Sequence, residues 1–438
     1  MTYSLEKRPK QPHKLLGYLT LLFSLVTIPL NMGCGNTNIP VTWTHSPKTE
    51  YVPPKSELVL PEIEYIAPDD DYTANDTDTD SQESYETNEE TPKSSINLIM
   101  VGDILLHTPL EECYRQTDST YDYSAMFSFT KDKIAGADIA LVNQEVIIGG
   151  EELGVSGYPC FNAPYSIGDE LVETGFDVIC HGTNHAMDKG RKGIINCLNF
   201  WQENYPSTTV LGIYDSAESR DNVYIYEQNG IKLAILNYTY GTNGIELPSD
   251  MPFAVNLLKE GQVRADIQYA EANADFTIVC PHWGTEYRLT PDHLQDKWSK
   301  IFLEEGVDLV IGTHPHVIEP VVELTDETNG HKMLVYYSLG NYINWTGSYG
   351  SGIANRMVGG MADVTISKDS EENVYIEDYD IDALVTHLLH ETNGPTTYFL
   401  RDYSEELASD NAILSQDGTF SYNYCIDLCN EVWGDLWE

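Results

Sequence analysis

The chain has 438 residues, 41% of them hydrophobic, enough for one large α/β domain with appendages. Its 24 Lys and Arg stand against 69 Asp and Glu, a formal charge of -45. That balance argues against a bare nucleic-acid backbone or an anionic membrane face as partner.

Lys7, Arg8, Lys10 and Lys14 precede an apolar run from Leu15 to Leu30, and Met32-Gly33-Cys34-Gly35 follows it. Basic, apolar and small-residue segments in that order predict an export signal over residues 1–34. The run falls short of the roughly 17–25 residues of a comfortable membrane span, so cleavage is expected. Cys34 after Gly33 resembles the cysteine of a bacterial lipoprotein signal, although Asn31 stands where that signal usually has Leu. Lipidation at Cys34 would hold the chain on the extracytoplasmic face of the cell membrane; simple secretion and an uncleaved anchor are the alternatives. Residues 35–94 are rich in Pro, Thr, Ser, Asp and Glu, with no Lys or Arg between Lys55 and Lys93, and read as a disordered acidic linker.

Order is expected to begin near Ile96, with a domain over 95–368 and a C-terminal extension, 369–438, packing on it. Short runs rich in Val, Ile and Leu read as strands covered on both faces: Ile96 to Val101, Ile139 to Val142, Asp177 to Cys180, Phe276 to Cys280, Val307 to Ile311 and Met333 to Tyr337. Segments at helical spacing alternate with them: Tyr123 to Ala135, Ser166 to Thr174, Gly190 to Tyr205, Leu257 to Ala272 and Pro291 to Glu305. The alternation predicts βα units with parallel strands. Asn229-Gly230 between two strand-like runs predicts a hairpin that adds an antiparallel pair. Cys180 and Cys280 close apolar strands, and Cys425 and Cys429 share a face if Tyr424 to Trp437 is helical; all four read as structural.

Just beyond the predicted strands stand the residues that carry chemistry. They are Asp103 with His107, Asn143 and Glu145, Thr183-Asn184-His185, His282, His314 and His316, and Asn341. In open α/β sheets ligands bind beyond the carboxyl ends of the strands, so these scattered positions should converge on one rim. Asp and Glu suit hard or borderline divalent cations, and His suits zinc-like ones. Asn184 can offer a neutral oxygen while His185 donates a proton, and Thr183 and Asn184 also suit a helix cap before Ala186 to Phe200. His314 and His316 straddle Pro315, which lets both imidazoles point one way.

Six motifs in this order, Gly102-Asp103, Asn143-Gln144-Glu145, Asn184-His185-Ala186-Met187-Asp188, His282-Trp283-Gly284-Thr285-Glu286-Tyr287, Gly312-Thr313-His314-Pro315-His316 and Ser338-Leu339-Gly340-Asn341, resemble the CapA family of bacterial capsule or poly-γ-glutamate synthesis proteins. The match runs from about Ile96 to Ile343. The resemblance implies a calcineurin-like metallophosphatase fold, a four-layer α/β/β/α sandwich with mixed sheets. It implies Asp103, Glu145, Asn184, His282, His314 and His316 as the set for one or two divalent cations (Mn, Mg, Zn or Fe). His185, with Asp188, corresponds to the catalytic position, and His107, Asn143, Thr183, Glu286 and Asn341 are further site candidates. Thr183 replaces the family's common first Asn, and the Asp-x-His opening of metallophosphoesterases is absent because His107 lies four residues after Asp103.

Two functions of different class follow. One is a surface-anchored, metal-dependent hydrolase acting on a phosphoester or on an amide of a γ-linked glutamyl polymer. The other is a non-enzymatic accessory protein that holds an anionic polymer during export or anchoring. Either needs cations around the pocket; Lys189, Arg191 and Arg288 are the substrate-binding candidates, with Lys192 and Arg356 also near the motifs.

Overall fold

A computed structural model describes residues 94–388 and 395–437. The export signal, Cys34 and nearly all of the acidic linker lie outside them.

The chain builds a first sheet, crosses to a second, and returns to the first. It begins with four parallel strands, β1 (Ser94–Leu105), β2 (Ile139–Gln144), β3 (Val178–Cys180) and β4 (Thr209–Leu211). The second sheet follows as β5 (Tyr224–Gln228), β6 (Ile231–Thr239), β7 (Phe276–His282), β8 (Leu309–Ile311), β9 (Val321–Thr325) and β10 (Lys332–Tyr336), in the order β5-β6-β7-β8-β10-β9. β6, β7, β8 and β10 run parallel, and β5 and β9 pair antiparallel at the edges. The chain then returns as β11 (Asn341–Asn344), β12 (Val358–Lys368), β13 (Val374–His387) and β14 (Thr396–Phe399), making the first sheet β14-β13-β12-β1-β2-β3-β4 with β11 beside β1. Residues beyond 368 therefore continue this sheet as β13 and β14.

Period-two alternation sorts each central strand between two cores. Ile96, Leu98 and Met100 of β1 meet Leu233, Ile235 and Ile278 of the second sheet in a core between the sheets. Ile99 and Val101 face outward onto Ile194, Phe200 and Trp201 of the helix Gly190–Asn204. On the far side Ala234, Leu236 and Val279 pack against Val263 and Ile267 of the helix Glu260–Asn273 and Phe302 of the helix His293–Glu305. The result is a four-layer α/β/β/α sandwich with mixed sheets. Each fully buried Val, Leu or Ile adds about 1.5–3 kcal/mol.

The hairpin forms with Asn229 and Gly230 both at positive φ, as its turn requires. The helix His293–Glu305 is closed by an Asp292–Gln295 capping box and ends at Gly306 in the left-handed region. Cys425 and Cys429 lie on the buried face of the helix Tyr422–Trp433.

Two local expectations fail. Tyr123 to Ala135 is not one helix but a 3-10 turn, Ser124–Phe127, and a short helix, Lys131–Ala135. Ser128 and Thr130 spend their hydroxyls on the Ser124 and Phe127 carbonyls and on Tyr342, which breaks the segment. Thr183 and Asn184 cap no helix: the next one starts at Gly190, and their side chains serve the rim instead.

Candidate metal centre

Close backbone packing sets the rim. A Cβ on Gly102 would lie 2.1 Å from the Gly340 carbonyl oxygen, and Asp103 N donates to that same oxygen at 2.9 Å. Glycine at 102 thus lets β1 and β11 close up, and the parallel register sets Asp103 beside both Asn143 and Asn341. Glu145 follows β2 directly. In the second sheet His282 ends β7 opposite Thr239 of β6 and bridges to Thr313. The two strand-end rows face one another, which brings Asp103, Asn143, Glu145, Asn184, His185, His282, His314 and His316 together, all buried.

Non-glycine residues at positive φ gather here. Seven occur among the described residues, and four of them, Asn243, Tyr287, His314 and His316, border this rim. Such backbone costs about 1–3 kcal/mol per residue and persists where the surroundings enforce it. Tyr287 N donates to the Pro315 carbonyl at 2.7 Å, tying its loop to the one that presents both histidines.

Asp103 Oδ1 accepts from Asn143 Nδ2 at 2.8 Å, and Oδ2 accepts the His314 backbone N–H at 3.2 Å and lies 3.1 Å from His316 Nδ1. Glu145 Oε1 is 3.7 Å from His282 Nε2, 3.7 Å from His316 Nε2 and 3.9 Å from His185 Nε2. Burial lifts Glu145 well above the usual carboxylate range; His316 pulls it down, while Asp103, Glu286 and Asp188 push it further up. Burial opposes charge on His316, yet Glu145 and Asp103 outweigh it and hold that imidazole up at about 9. Burial and the neighbouring imidazoles keep His282 and His314 well below the ordinary value, so both are neutral.

Asn184 Oδ1 meets His282 Nε2 at 3.0 Å, and His282 Nδ1 lies 3.0 Å from Thr313 Oγ1. Thr183 donates its hydroxyl to the Glu145 carbonyl at 2.8 Å and accepts the His185 N–H at 3.2 Å, so it supports the rim without facing it. His185 Nδ1 pairs with Asp188 Oδ2 at 2.7 Å. Asn341 contacts His316 Nδ1 through Oδ1 at 3.1 Å and donates Nδ2 to the His316 and Arg356 carbonyls, each at 3.0 Å.

Of the remaining candidates, His107 and Glu286 lie beside this group. His107 stacks edge-on against Phe161 at 4.9 Å, which in turn meets His185 at 4.5 Å, and burial with nearby cationic groups lowers His107 to about 3. Glu286 is exposed at the mouth, near enough to act on Glu145 and His316. Lys189 is half-buried, Arg191 is exposed and paired with Asp250, and Arg288 bonds Thr290 Oγ1 and the Pro291 carbonyl.

The family model for the bacterial capsule synthesis protein PGA_cap matches residues 97–346, more than half of the chain. This chain belongs to that family. It is 28% identical over 287 residues to the PGA biosynthesis protein CapA of Bacillus subtilis, covering 59% of this chain and 68% of that protein. With the capsule biosynthesis protein CapA of Bacillus anthracis it shares 25% identity over 265 residues, 57% of this chain and 61% of that one. Among solved structures it is similar to the Haemophilus influenzae NAD nucleotidase (13% identity, TM-score 0.43, 79% of this chain and 64% of that one). A 5'-nucleotidase precursor from Thermus thermophilus gives 15% identity and a TM-score of 0.41 over 66% of this chain and 54% of that one.

The residues of this PGA_cap protein fit a divalent cation. Both Glu145 oxygens, Asn143 Oδ1 and His314 Nδ1 are buried without a hydrogen-bond partner, an unusual cost unless something else satisfies them. Glu145, His314 and His316 each offer a donor atom within 4.8 Å of the others. Carboxylate, amide and neutral imidazole together suit a borderline metal.

Sequence reasoning missed the end of β6. Tyr240 lays its ring 4.6 Å from that of His314, and Asn243 Nδ2 reaches His185 Nδ1 at 3.4 Å. The signal for it is the apolar run Ile231 to Leu236, which leads to Tyr240 and Asn243 as the other strand runs lead to their polar ends.

Proposed function

We propose that this capsule-synthesis family member is a surface-anchored, metal-dependent hydrolase that cuts a phosphoester or a γ-glutamyl amide in an anionic polymer or a phosphorylated substrate. The observation that carries the reading is Glu145, a buried carboxylate with both oxygens unpartnered and three imidazole nitrogens within 3.9 Å of one of them. A structural carboxylate would not be left so, because its desolvation is uncompensated.

Asp103, Glu145, Asn184, His282, His314 and His316 would hold one or two divalent cations, Mn, Mg, Zn or Fe. Such a cation supplies Lewis acidity at the scissile group. His185 would give a proton to the leaving atom from Nε2, with Asp188 holding Nδ1. Asn143 and Asn341 orient Asp103 and His316. Lys189 and Arg288 would add positive charge at the mouth. The order of basic, apolar and small residues before Cys34 supports export with lipid anchoring, residues 35–94 serving as tether and 95–368 with 369–438 as the working part. Among the described residues no helix is long and apolar enough to cross a membrane.

The test is elemental analysis of the purified protein, joined to a screen of phosphoester and γ-glutamyl substrates before and after chelation. Metal-dependent turnover of one class is expected. A metal-loaded protein that binds polymer yet turns over neither class would replace the hydrolase with the accessory reading.

A further inference from the structure

Most arginines among the described residues pair with a carboxylate, as the acid excess favours. Of the seven arginines among the described residues, Arg115, Arg191, Arg220, Arg264 and Arg401 each pair with a carboxylate. Arg288 and Arg356 have no carboxylate partner among the described residues. Arg288 is exposed and bonds within its own loop. Arg356 is half-buried, lies with Cζ 3.7 Å over the Tyr287 ring, and has a buried Nε without a partner.

Its place is set by the metal-site residues. The Tyr287 ring is 6.0 Å from the His316 ring, and Asn341 Nδ2 bonds the His316 and Arg356 carbonyls together. Stacking on an aromatic face leaves the edge of a guanidinium free, and that edge matches a carboxylate or a phosphate in two parallel hydrogen bonds. Arg356 thus stands beside a carboxylate-rich rim, in a chain of charge -45, as a cation that no internal ion pair neutralises.

We infer that Arg356, on its Tyr287 platform, is a specificity-determining residue: it receives an oxyanion, carboxylate or phosphate, that the substrate carries beyond the reacting bond. This rests on the hydrolase reading and narrows it to substrates with two separated acidic groups, or one acidic group near a neutral amide.

The experiment measures binding to metal-loaded protein, with turnover recorded separately. The probes are tri-γ-glutamate against its α-carboxamide form, and propane-1,3-diol bisphosphate against propyl phosphate. Wild type should prefer the more acidic member of one pair by about tenfold or more, and whichever pair shows it names the source of the oxyanion. Arg356→Gln should erase that preference while keeping metal content and the affinity for the less acidic member; Arg356→Lys should restore part of it. The inference is overturned if wild type has no preference in either pair, including by binding neither, or if Arg356→Gln keeps it. It is overturned also if Arg356→Gln weakens both members of a pair equally, the mark of a structural role. Loss of preference in a protein without turnover would sink the hydrolase and leave Arg356 standing; turnover indifferent to Arg356 would do the reverse.

Discussion

His185 Nδ1 lies 2.7 Å from Asp188 Oδ2, and that same oxygen accepts the Phe161 backbone N–H at 2.7 Å. Asp188 is therefore fixed by the backbone of a different loop before it meets the imidazole. A carboxylate held in this way accepts the Nδ1 proton of the imidazolium that a proton donor must be, and turns Nε2, which carries the proton given to the leaving atom, inward to where Glu145 Oε1 stands 3.9 Å away.

Asp188→Asn should thus slow turnover by about tenfold or more, by loosening the ring and removing the charge that Nδ1–H meets, and should leave metal content unchanged. His185→Ala should slow it by roughly 10²–10⁴-fold, again with metal retained. Steady-state kinetics with elemental analysis of the same samples check both. Metal loss in Asp188→Asn would show that Asp188 supports the ion instead.

Why these residues could be found in the sequence, and others could not, has a physical basis. Asp103, Glu145, His282 and the His314–His316 pair each follow an apolar run, and parallel strands carry all their carboxyl ends to one side. The outer layers were equally legible from helical spacing at Ser166 to Thr174 and Gly190 to Tyr205. Positive φ at His314, His316 and Tyr287 was not, because most His and Tyr residues stay at negative φ and tertiary bonds such as Tyr287 N to Pro315 O enforce it here. The cap reading of Thr183 and Asn184 failed for the same reason: their side chains found Glu145 and His282, far off in sequence, before any local amide.

Gly102→Ala probes the closure of the rim. Its new Cβ would meet the Gly340 carbonyl oxygen at 2.1 Å, a backbone atom held between β11 and β12 that cannot swing aside. We expect a destabilisation of about 2 kcal/mol or more, seen as a lower denaturant midpoint, with metal affinity falling as Asp103 shifts. A variant of wild-type stability and metal content would show that the strands can part at no cost.

Glu319 should make folding pH-dependent. Buried, with Gln295 Nε2 on Oε2 at 2.5 Å and Oε1 unpartnered, its carboxyl is pushed up to about 8, chiefly by burial. The folded state thus keeps a proton that the unfolded chain releases near the ordinary carboxylate value. Stability from this group is full below that value and is lost as pH rises to about 8. The slope is at most about 1.4 kcal/mol per pH unit. Denaturation curves at pH 5.5 and 8, taken as roughly the ends of that window, should show Glu319→Gln losing less stability than wild type between them. Equal losses in both would mean that Glu319 ionises freely when folded.

Metal loading should itself release protons, and the residues responsible are Glu145 and His316. Without a cation, the charges of Glu145 and Asp103 hold His316 up at about 9, so the Glu145–His316 pair keeps at least one proton between its two members near neutral pH. That proton must leave before both groups can serve the ion, so affinity should fall as pH drops below about 9, and near neutral pH about one proton or more should leave per cation bound. Titration calorimetry of Mn or Zn binding in two buffers of different ionisation enthalpy counts those protons directly. His316→Ala should lower metal occupancy and reduce the count, because it removes both a ligand and one of the two proton donors, whereas His185→Ala should change neither. Identical proton release in wild type and His316→Ala would remove His316 from the ligand set and leave Glu145 as the group the ion displaces.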